Sequence, residues 1–194
     1  HLARHSDEVA KLASGTALRL IVSEPPRHGK SECISHWTPV WFLANWPDKR
    51  IIFTSYEAEF AASWGRKVRN TIEANPELGI TIKDDTRAVS GWETNRGGGM
   101  VTAGVGGPIT GKGADLLIID DPVKNAEEAA SPIIREKIWD WWRTTARTRL
   151  EPGASVVVVM TRWDIDDLAG RLLNSTDEAW TSLVLPALAE QNDA

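Results

Sequence analysis

Short apolar runs alternate along this chain with longer stretches of helical periodicity. Residues 18–23 read as a strand entering a Pro/Gly turn, and 31–45 as the helix after it. Residues 51–55 are a second apolar run. Helical spacing follows from about 57 to 73 and stops at Asn75-Pro76, because a residue before proline is driven out of the helical region. Residues 88–93 and 99–105 flank the Gly-rich 95–98 and predict a hairpin. The runs 116–120 and 156–160 are apolar without alternation, as in strands covered on both faces. Between them, 131–149 is the longest helical pattern, opened by Ser-Pro and followed by Glu-Pro-Gly. Helices over 2–12 and 164–173 and a last strand over 182–185 complete the reading. Strands alternating with helices predict an α/β fold: about five core strands joined by right-handed crossovers, a doubly wound, mainly parallel sheet with helices on both faces.

Composition narrows this picture without changing it. A chain of 194 residues suits one domain with a sizeable core. With 42% apolar and 25% charged residues, long disorder is excluded, and no apolar run approaches the length of a membrane-spanning helix. The single cysteine, Cys33, cannot form an internal disulfide, and no signal-peptide pattern precedes it, which points to a reducing compartment. A net charge of −5 speaks against a basic nucleic-acid coat or membrane anchor, so any grip on nucleic acid has to be local. Residues 135–149 carry five cations (Arg135, Lys137, Arg143, Arg147, Arg149) against two anions, with Arg143 and Arg147 four apart on one helical face. Arg66, Lys67 and Arg69 form a smaller cluster. Each group suits DNA, a neighbouring subunit or plain solvation. Ten tryptophans outnumber one tyrosine and three phenylalanines. Trp139, Trp141 and Trp142 cannot share one face, and 139 and 142, three apart, are expected in the core.

The chemistry concentrates at strand ends. Residues 23–31 read Ser-Glu-Pro-Pro-Arg-His-Gly-Lys-Ser, with Gly-Lys-Ser between a strand and a helix. Backbone N–H groups at a helix start face an anion and carry the positive end of its dipole. In such a loop Pro26, Arg27, His28, Gly29, Lys30 and Ser31 surround phosphates: Gly29 lets the backbone approach, Lys30 reaches the β- and γ-phosphates, and the Ser31 hydroxyl ligates Mg2+. Arg27 is a second cation beside the phosphates or a solvated loop arginine. Glu24 stands where the usual pattern has its first glycine, so the strict motif fails at that position.

Four apolar residues, 116–119, end in Asp120-Asp121. A buried strand that delivers acids at its C-terminal end places them where ligands bind. Asp120 suits Mg2+, and Asp121 suits orienting or deprotonating an attacking water, with Asp one methylene shorter than the Glu common at that position. Alone, the same residues read equally as a strand-ending turn. The third run ends in Thr161-Arg162. Thr161 suits a hydrogen bond to phosphate or water, or a strand-end cap. Arg162 suits reporting on phosphate charge, or pairing with Asp164, Asp166 or Asp167.

Six pieces in order carry a family resemblance: Pro-Pro-Arg-His-Gly-Lys-Ser-Glu at 25–32, Thr-Ser-Tyr at 54–56, Gly-Val-Gly-Gly-Pro-Ile-Thr-Gly-Lys-Gly-Ala-Asp at 104–115, Ile-Ile-Asp-Asp-Pro at 118–122, Trp-Asp-Trp-Trp at 139–142 and Thr-Arg-Trp-Asp-Ile-Asp-Asp-Leu-Ala-Gly at 161–170. Together, from about residue 15 to 186, they resemble the N-terminal ATPase of the large terminase subunit of tailed bacteriophages and prophages. The resemblance implies an additional-strand, RecA-like P-loop NTPase fold that hydrolyses ATP with Mg2+ and moves double-stranded DNA into a procapsid. It implies a homo-oligomeric ring on the portal, with the isolated domain able to be monomeric, a small terminase partner, no membrane, and the cytoplasm of an infected or lysogenic bacterial host. Arg27 matches the arginine kept inside the family's loop, Gly29, Lys30 and Ser31 the loop's end, Asp120 and Asp121 its paired acids, and Thr161 the start of its coupling motif, with Arg162 next to it; Lys30, Asp121 and Arg27 are then the expected catalytic residues. Lys112 is the nearest cation to the place from which some members reach a neighbour's nucleotide, though lysine offers a point charge where arginine offers a fork. Residues 1–186 are then expected to be the ATPase domain of a longer protein, and 187–194 the start of a linker to a nuclease domain outside this chain. A helicase-like DNA translocase and a nucleotide-binding assembly module with little turnover remain alternatives.

Overall fold

In the computed structural model, which describes residues 2–14 and 18–186, the apolar runs assemble into one eight-stranded sheet. Its strands are β1 (Arg19–Ser23), β2 (Arg50–Ser55), β3 (Ile82–Ala88), β4 (Gly91–Thr94), β5 (Gly99–Gly104), β6 (Ala114–Asp120), β7 (Leu150–Met160) and β8 (Thr181–Val184), in the order β3-β4-β5-β2-β6-β7-β1-β8. From β5 to β8 every neighbouring pair is parallel, and β4 and β3 extend that sheet antiparallel at one edge. This is a mixed α/β fold with a mostly parallel sheet. The five core strands and the hairpin are present, with β4 starting later than expected because a turn at Val89-Ser90 joins it to β3. The pattern did not reveal β3. Lys83, Asp84, Asp85 and Arg87 make this edge strand polar, as edge strands that avoid further pairing are.

Alternate residues of the central strands feed two cores. Leu20, Val22, Ile51, Phe53, Leu116, Ile118, Val157 and Val159 pack on one face with residues of α1 (Leu2–Ala10), α2 (Thr38–Asn45) and α3 (Ala58–Ala74). Ile21, Ile52, Leu117, Ile119, Val156 and Val158 face the other way, onto α4 (Ala126–Ala130), α5 (Pro132–Trp141) and α6 (Leu168–Asn174). Each fully buried aliphatic side chain stabilises by about 1.5–3 kcal/mol relative to its exposed state, and these two sets hold the sheet between helical layers.

The helices depart from the sequence pattern in three places, each with a local cause. The 131–149 stretch is helical from Pro132 to Arg149, as expected, but changes its winding along the way. Ser131 ends α4 and its hydroxyl caps the Ile134 N–H of α5 at 3.4 Å, and after Trp141 the chain widens into a π-helical turn, Trp142–Ala146. Trp141, the last residue of α5, and Trp142, the first of the wider turn, are both buried. Trp139, expected in the core, instead lies half-buried under the guanidinium groups of Arg143 and Arg171, each 5.9 Å from its ring. Pro152-Gly153 does not close a helix but bulges β7: its register with β6 jumps between Ala114↔Leu150 and Leu116↔Ser155, with Gly153 at φ +81°. Finally, α6 begins four residues later than expected. Asp164 closes a local turn on the Asp166 N–H at 2.8 Å, and the true cap is Asp167, accepting from the Gly170 N–H at 2.9 Å.

Among the described residues no helix is long and apolar enough to cross a membrane. Residues 187–194, expected as the start of a linker, lie outside the described residues.

Candidate functional site

The parallel strands all end at one edge of the sheet, and the candidate residues gather there. Strand β1 passes into the 24–30 loop, which enters a helical segment at Lys30-Ser31 and a π-helical turn, Glu32–Trp37, ahead of α2. Arg27 at φ 65° and Gly29 at φ 90° both take left-handed backbone, so the loop turns twice within three residues. A non-glycine residue held there costs on the order of 1 kcal/mol and persists only where its surroundings enforce it. The Arg27 side chain is exposed. The His28 ring Nδ1 lies 2.9 Å from the Pro26 carbonyl.

Strand order brings the acids to this loop. Because β7 lies between β1 and β6, Asp120 at the end of β6 stands one strand away from β1. The Ser31 hydroxyl donates to Asp120 Oδ1 at 3.2 Å, and Lys30 Nζ lies 3.4 Å from Asp121 Oδ2. Asp121 turns out of the strand with φ 43°, a left-handed position that aspartate tolerates. Its amide donates to the Val159 carbonyl at 2.8 Å and its carbonyl accepts from the Tyr56 amide at 3.1 Å, so β7 and the end of β2 hold this turn on both sides. Thr161, just past the end of β7, bridges the halves: its amide donates to Asp121 Oδ1 at 2.9 Å and its hydroxyl to the Glu24 carbonyl at 3.4 Å. Thus Gly29, Lys30, Ser31, Asp120, Asp121 and Thr161, drawn from three parts of the chain, share one edge.

A cation and an acid are buried close together at this edge. Lys30 is only 6% exposed and Asp120 fully buried. Burial raises the Asp120 carboxyl to about 6, the neighbouring Asp121 charge adds to the rise, and the Ser35 and Ser31 hydroxyls and Lys30 oppose it. A hydroxyl and a carboxylate are hard oxygen donors, and Mg2+ is held by one or two such groups plus substrate phosphates and water. Lys30, Ser31 and Asp120 therefore fit a metal–phosphate ligand.

Two contacts at this edge were not legible in the sequence. Ser35, fully buried, donates to Asp120 Oδ2 at 2.7 Å. Its spacing of four from Ser31 was the available signal, since that spacing repeats a helical face. Glu24, in the position expected for glycine, is buried with its carboxyl group against the imidazole of the buried His5 of α1. Nothing in the spacing links residues that far apart.

Other candidates lie elsewhere. The Arg162 guanidinium donates to the nearly buried Asp167 carboxylate at 2.6 Å and to the Asp164 and Ile165 carbonyls, which ties it to the start of α6. Lys112 is exposed at the opposite edge of the sheet, bordering a cavity with Arg50 and Gly99, the first residues of β2 and β5. The cations of 135–149 are largely engaged within the chain: Arg135 with Asp164 and Asp166, Arg143 with Asp140, and Arg147 with Asp177. Lys67 pairs with Glu32, and Arg69 donates to the Arg87 carbonyl.

Comparison with known proteins agrees with this architecture. Residues 21–187 match the family model described as terminase large subunit, T4likevirus-type, N-terminal. The fold is similar to the crystal structure of the large terminase of bacteriophage HK97, with a TM-score of 0.59 and 16% sequence identity over 88% of this chain. The likeness spans 35% of that protein. A search of the curated proteins found no match.

Proposed function

The chain belongs to the large-terminase N-terminal family, and on that premise we propose that it is the ATP-hydrolysing motor domain that powers movement of double-stranded phage DNA into a procapsid. The observation that carries the reading is the convergence of Lys30, Ser31, Asp120 and Asp121 on one sheet edge, with the tip of β7 between them. A strand inserted between the phosphate-loop strand and the acidic strand is the feature for which additional-strand, RecA-like P-loop NTPases are named, and β7 occupies that position.

Bound Mg2+–ATP supplies a phosphoanhydride bond whose hydrolysis drives the motor. The chain's own groups receive it as follows. Backbone N–H groups of residues 26–31 and the Lys30 ammonium take the phosphate charge. The Ser31 hydroxyl and Asp120 carboxylate would hold the metal, which would supply charge neutralisation at the phosphates. With Lys30 turned to phosphate, Asp121 Oδ2 loses its ion pair and would take the proton of a water whose oxygen bonds to the γ-phosphorus as the bond from that phosphorus to the ADP oxygen breaks, while the Thr161 amide keeps Oδ1 fixed. Arg27, exposed on the loop, adds a cation on the solvent side. Thr161 couples the acids to the loop through the Glu24 carbonyl, and Arg162 carries that coupling to α6 through Asp167. Lys112 lies at the opposite edge from the phosphate loop, so any nucleotide it serves belongs to a neighbouring subunit of a homo-oligomeric ring. Portal, procapsid and small terminase subunit are the partners, in the cytoplasm of the bacterial host.

Steady-state ATPase of the chain beside Lys30→Ala tests the reading. Turnover that Lys30→Ala abolishes and duplex DNA stimulates supports it. No turnover above Lys30→Ala makes the chain a nucleotide-binding assembly module, and stimulation by single strands with unwinding makes it a helicase-like translocase.

A further inference from the structure

Asp120 is held by two hydroxyls, one on each oxygen. Ser31 reaches Oδ1 from the end of the loop at 3.2 Å, and Ser35 reaches Oδ2 from the π-helical turn at 2.7 Å. The two differ in what else they can do. Ser31 lies at the loop end beside Lys30, where its oxygen can turn to a cation. Ser35 is fully buried and its only hydrogen-bond partner among the described residues is the carboxylate. We propose that Ser35 is a positioning residue for metal binding: it anchors Asp120 through Oδ2 so that Oδ1 stays turned toward Ser31 and the metal. The inference rests on the nucleotide reading of this site and extends it to a residue outside the loop motif.

The physical case is one of preorganisation. A carboxylate on a strand end can rotate about its last bond, and a buried one has no water to hold it in a single orientation. Once the Ser31 oxygen is committed to a cation, the position of its hydroxyl is set by that cation, and Ser35 is the restraint on Asp120 that is independent of the metal. The Ser35 bond does not compete with the metal, because it uses the other oxygen. It also satisfies a buried acceptor that would otherwise lack a partner, a shortfall that weakens a charged group in low dielectric. Side chains that hold a metal ligand in place typically change metal affinity by 10–100-fold when removed.

The test is a titration of the whole chain with a fluorescent ATP analogue, with Mg2+ varied and with EDTA, for wild type, Ser35→Ala, Ser35→Thr and Ser31→Ala, each checked by circular dichroism and thermal melting. Ser35→Ala is expected to raise the Mg2+ concentration for half-maximal effect by about 10–100-fold, with affinity for the metal-free nucleotide within about twofold of wild type. Ser35→Thr, which keeps the hydroxyl, is expected to restore most of the metal dependence. An unchanged Mg2+ midpoint in Ser35→Ala overturns the proposal, and so does a parallel loss of metal-free affinity, which signals a structural role alone. Should Ser35→Ala fail to fold, Ser35→Cys, similar in size but a weak donor, must show the same metal defect or the proposal falls. If wild type itself binds no nucleotide, the reading of the site falls and this inference falls with it. Failure of Ser35→Ala alone to alter Mg2+ dependence leaves that reading standing.

Discussion

Lys30 Nζ lies 3.4 Å from Asp121 Oδ2, and the other oxygen of that carboxylate accepts the Thr161 amide at 2.9 Å. Lys30 is nearly buried, and burying a cation is costly unless an anion stands beside it. In the structure described here that anion is Asp121, and phosphate is the natural competitor. On the proposed function, a phosphate ligand that takes Lys30 releases the carboxylate. Asp121→Asn is expected to keep nucleotide binding, with affinity unchanged or tightened because phosphate no longer competes with a carboxylate for Lys30. Turnover should fall by about 10²-fold or more, the usual contribution of a positioned base. Fluorescent-nucleotide binding and steady-state ATPase on the same samples check both halves, and wild-type turnover in Asp121→Asn would remove Asp121 from the chemistry.

The buried Asp120 makes a prediction about pH. Its carboxyl is raised from the ordinary carboxylate value to about 6 by burial first and by Asp121 second. Below about pH 4 the folded and unfolded chains both hold this proton, and between about 4 and 6 only the folded chain does. Stability from this group is thus fully present at low pH and is lost as pH rises to about 6, by up to about 3 kcal/mol. Urea unfolding of wild type and Asp120→Asn from pH 4 to 7 isolates it. The stability of wild type relative to the variant should decline with rising pH and then level off, and a constant difference would contradict the shift.

Arg162 is tied to Asp167, whose other oxygen caps α6. Removing the guanidinium leaves a nearly buried carboxylate without its cation. Arg162→Ala is expected to cost about 1–3 kcal/mol, a melting temperature lower by several degrees. Thermal melting beside ATPase distinguishes the roles: a variant that melts like wild type but has lost turnover would mean that the guanidinium acts at the phosphates directly.

Gly65 lies where α3 crosses β5. A Cβ there would stand 2.6 Å from Thr102 Cγ2 and 3.0 Å from the Val89 carbonyl, and the Gly65 carbonyl accepts the indole N–H of the buried Trp92 at 3.1 Å. Alanine favours an exposed helix by about 1 kcal/mol over glycine. Here the close approach outweighs that preference, and Gly65→Ala is expected to destabilise by about 1–3 kcal/mol, the usual cost of overpacking. Denaturant unfolding checks the sign, and a gain in stability would show that helix and sheet can separate without cost.

Much of this protein is written in short windows of its sequence. The apolar runs that became β1, β2, β6 and β7, the Gly-Lys-Ser at a strand-to-helix junction, the paired acids at a strand end, and the Ser131-Pro132 start of α5 are all local signals. They are set by side-chain period, by capping and by the backbone limits of proline, and they needed no knowledge of the remainder of the chain. The family resemblance rests on the same pieces.

Tertiary structure decided what those pieces touch. Sheet order placed β7 between β1 and β6, and so set Thr161 between the loop and Asp121. Ser31 and Ser35 meet Asp120 across 89 and 85 residues, and Glu24 meets His5 on another helix. The packing of α5 on the sheet buried Trp141 and left Trp139 half-covered, and the polar edge strand β3 carries no apolar period on its solvated face. Arg162 had three carboxylates within five residues, and only the way the chain turns into α6 chose Asp167. Local preference acts over a few residues, whereas partners are chosen by the packing of two hydrophobic cores on opposite faces of one sheet. That choice is made by the whole chain at once.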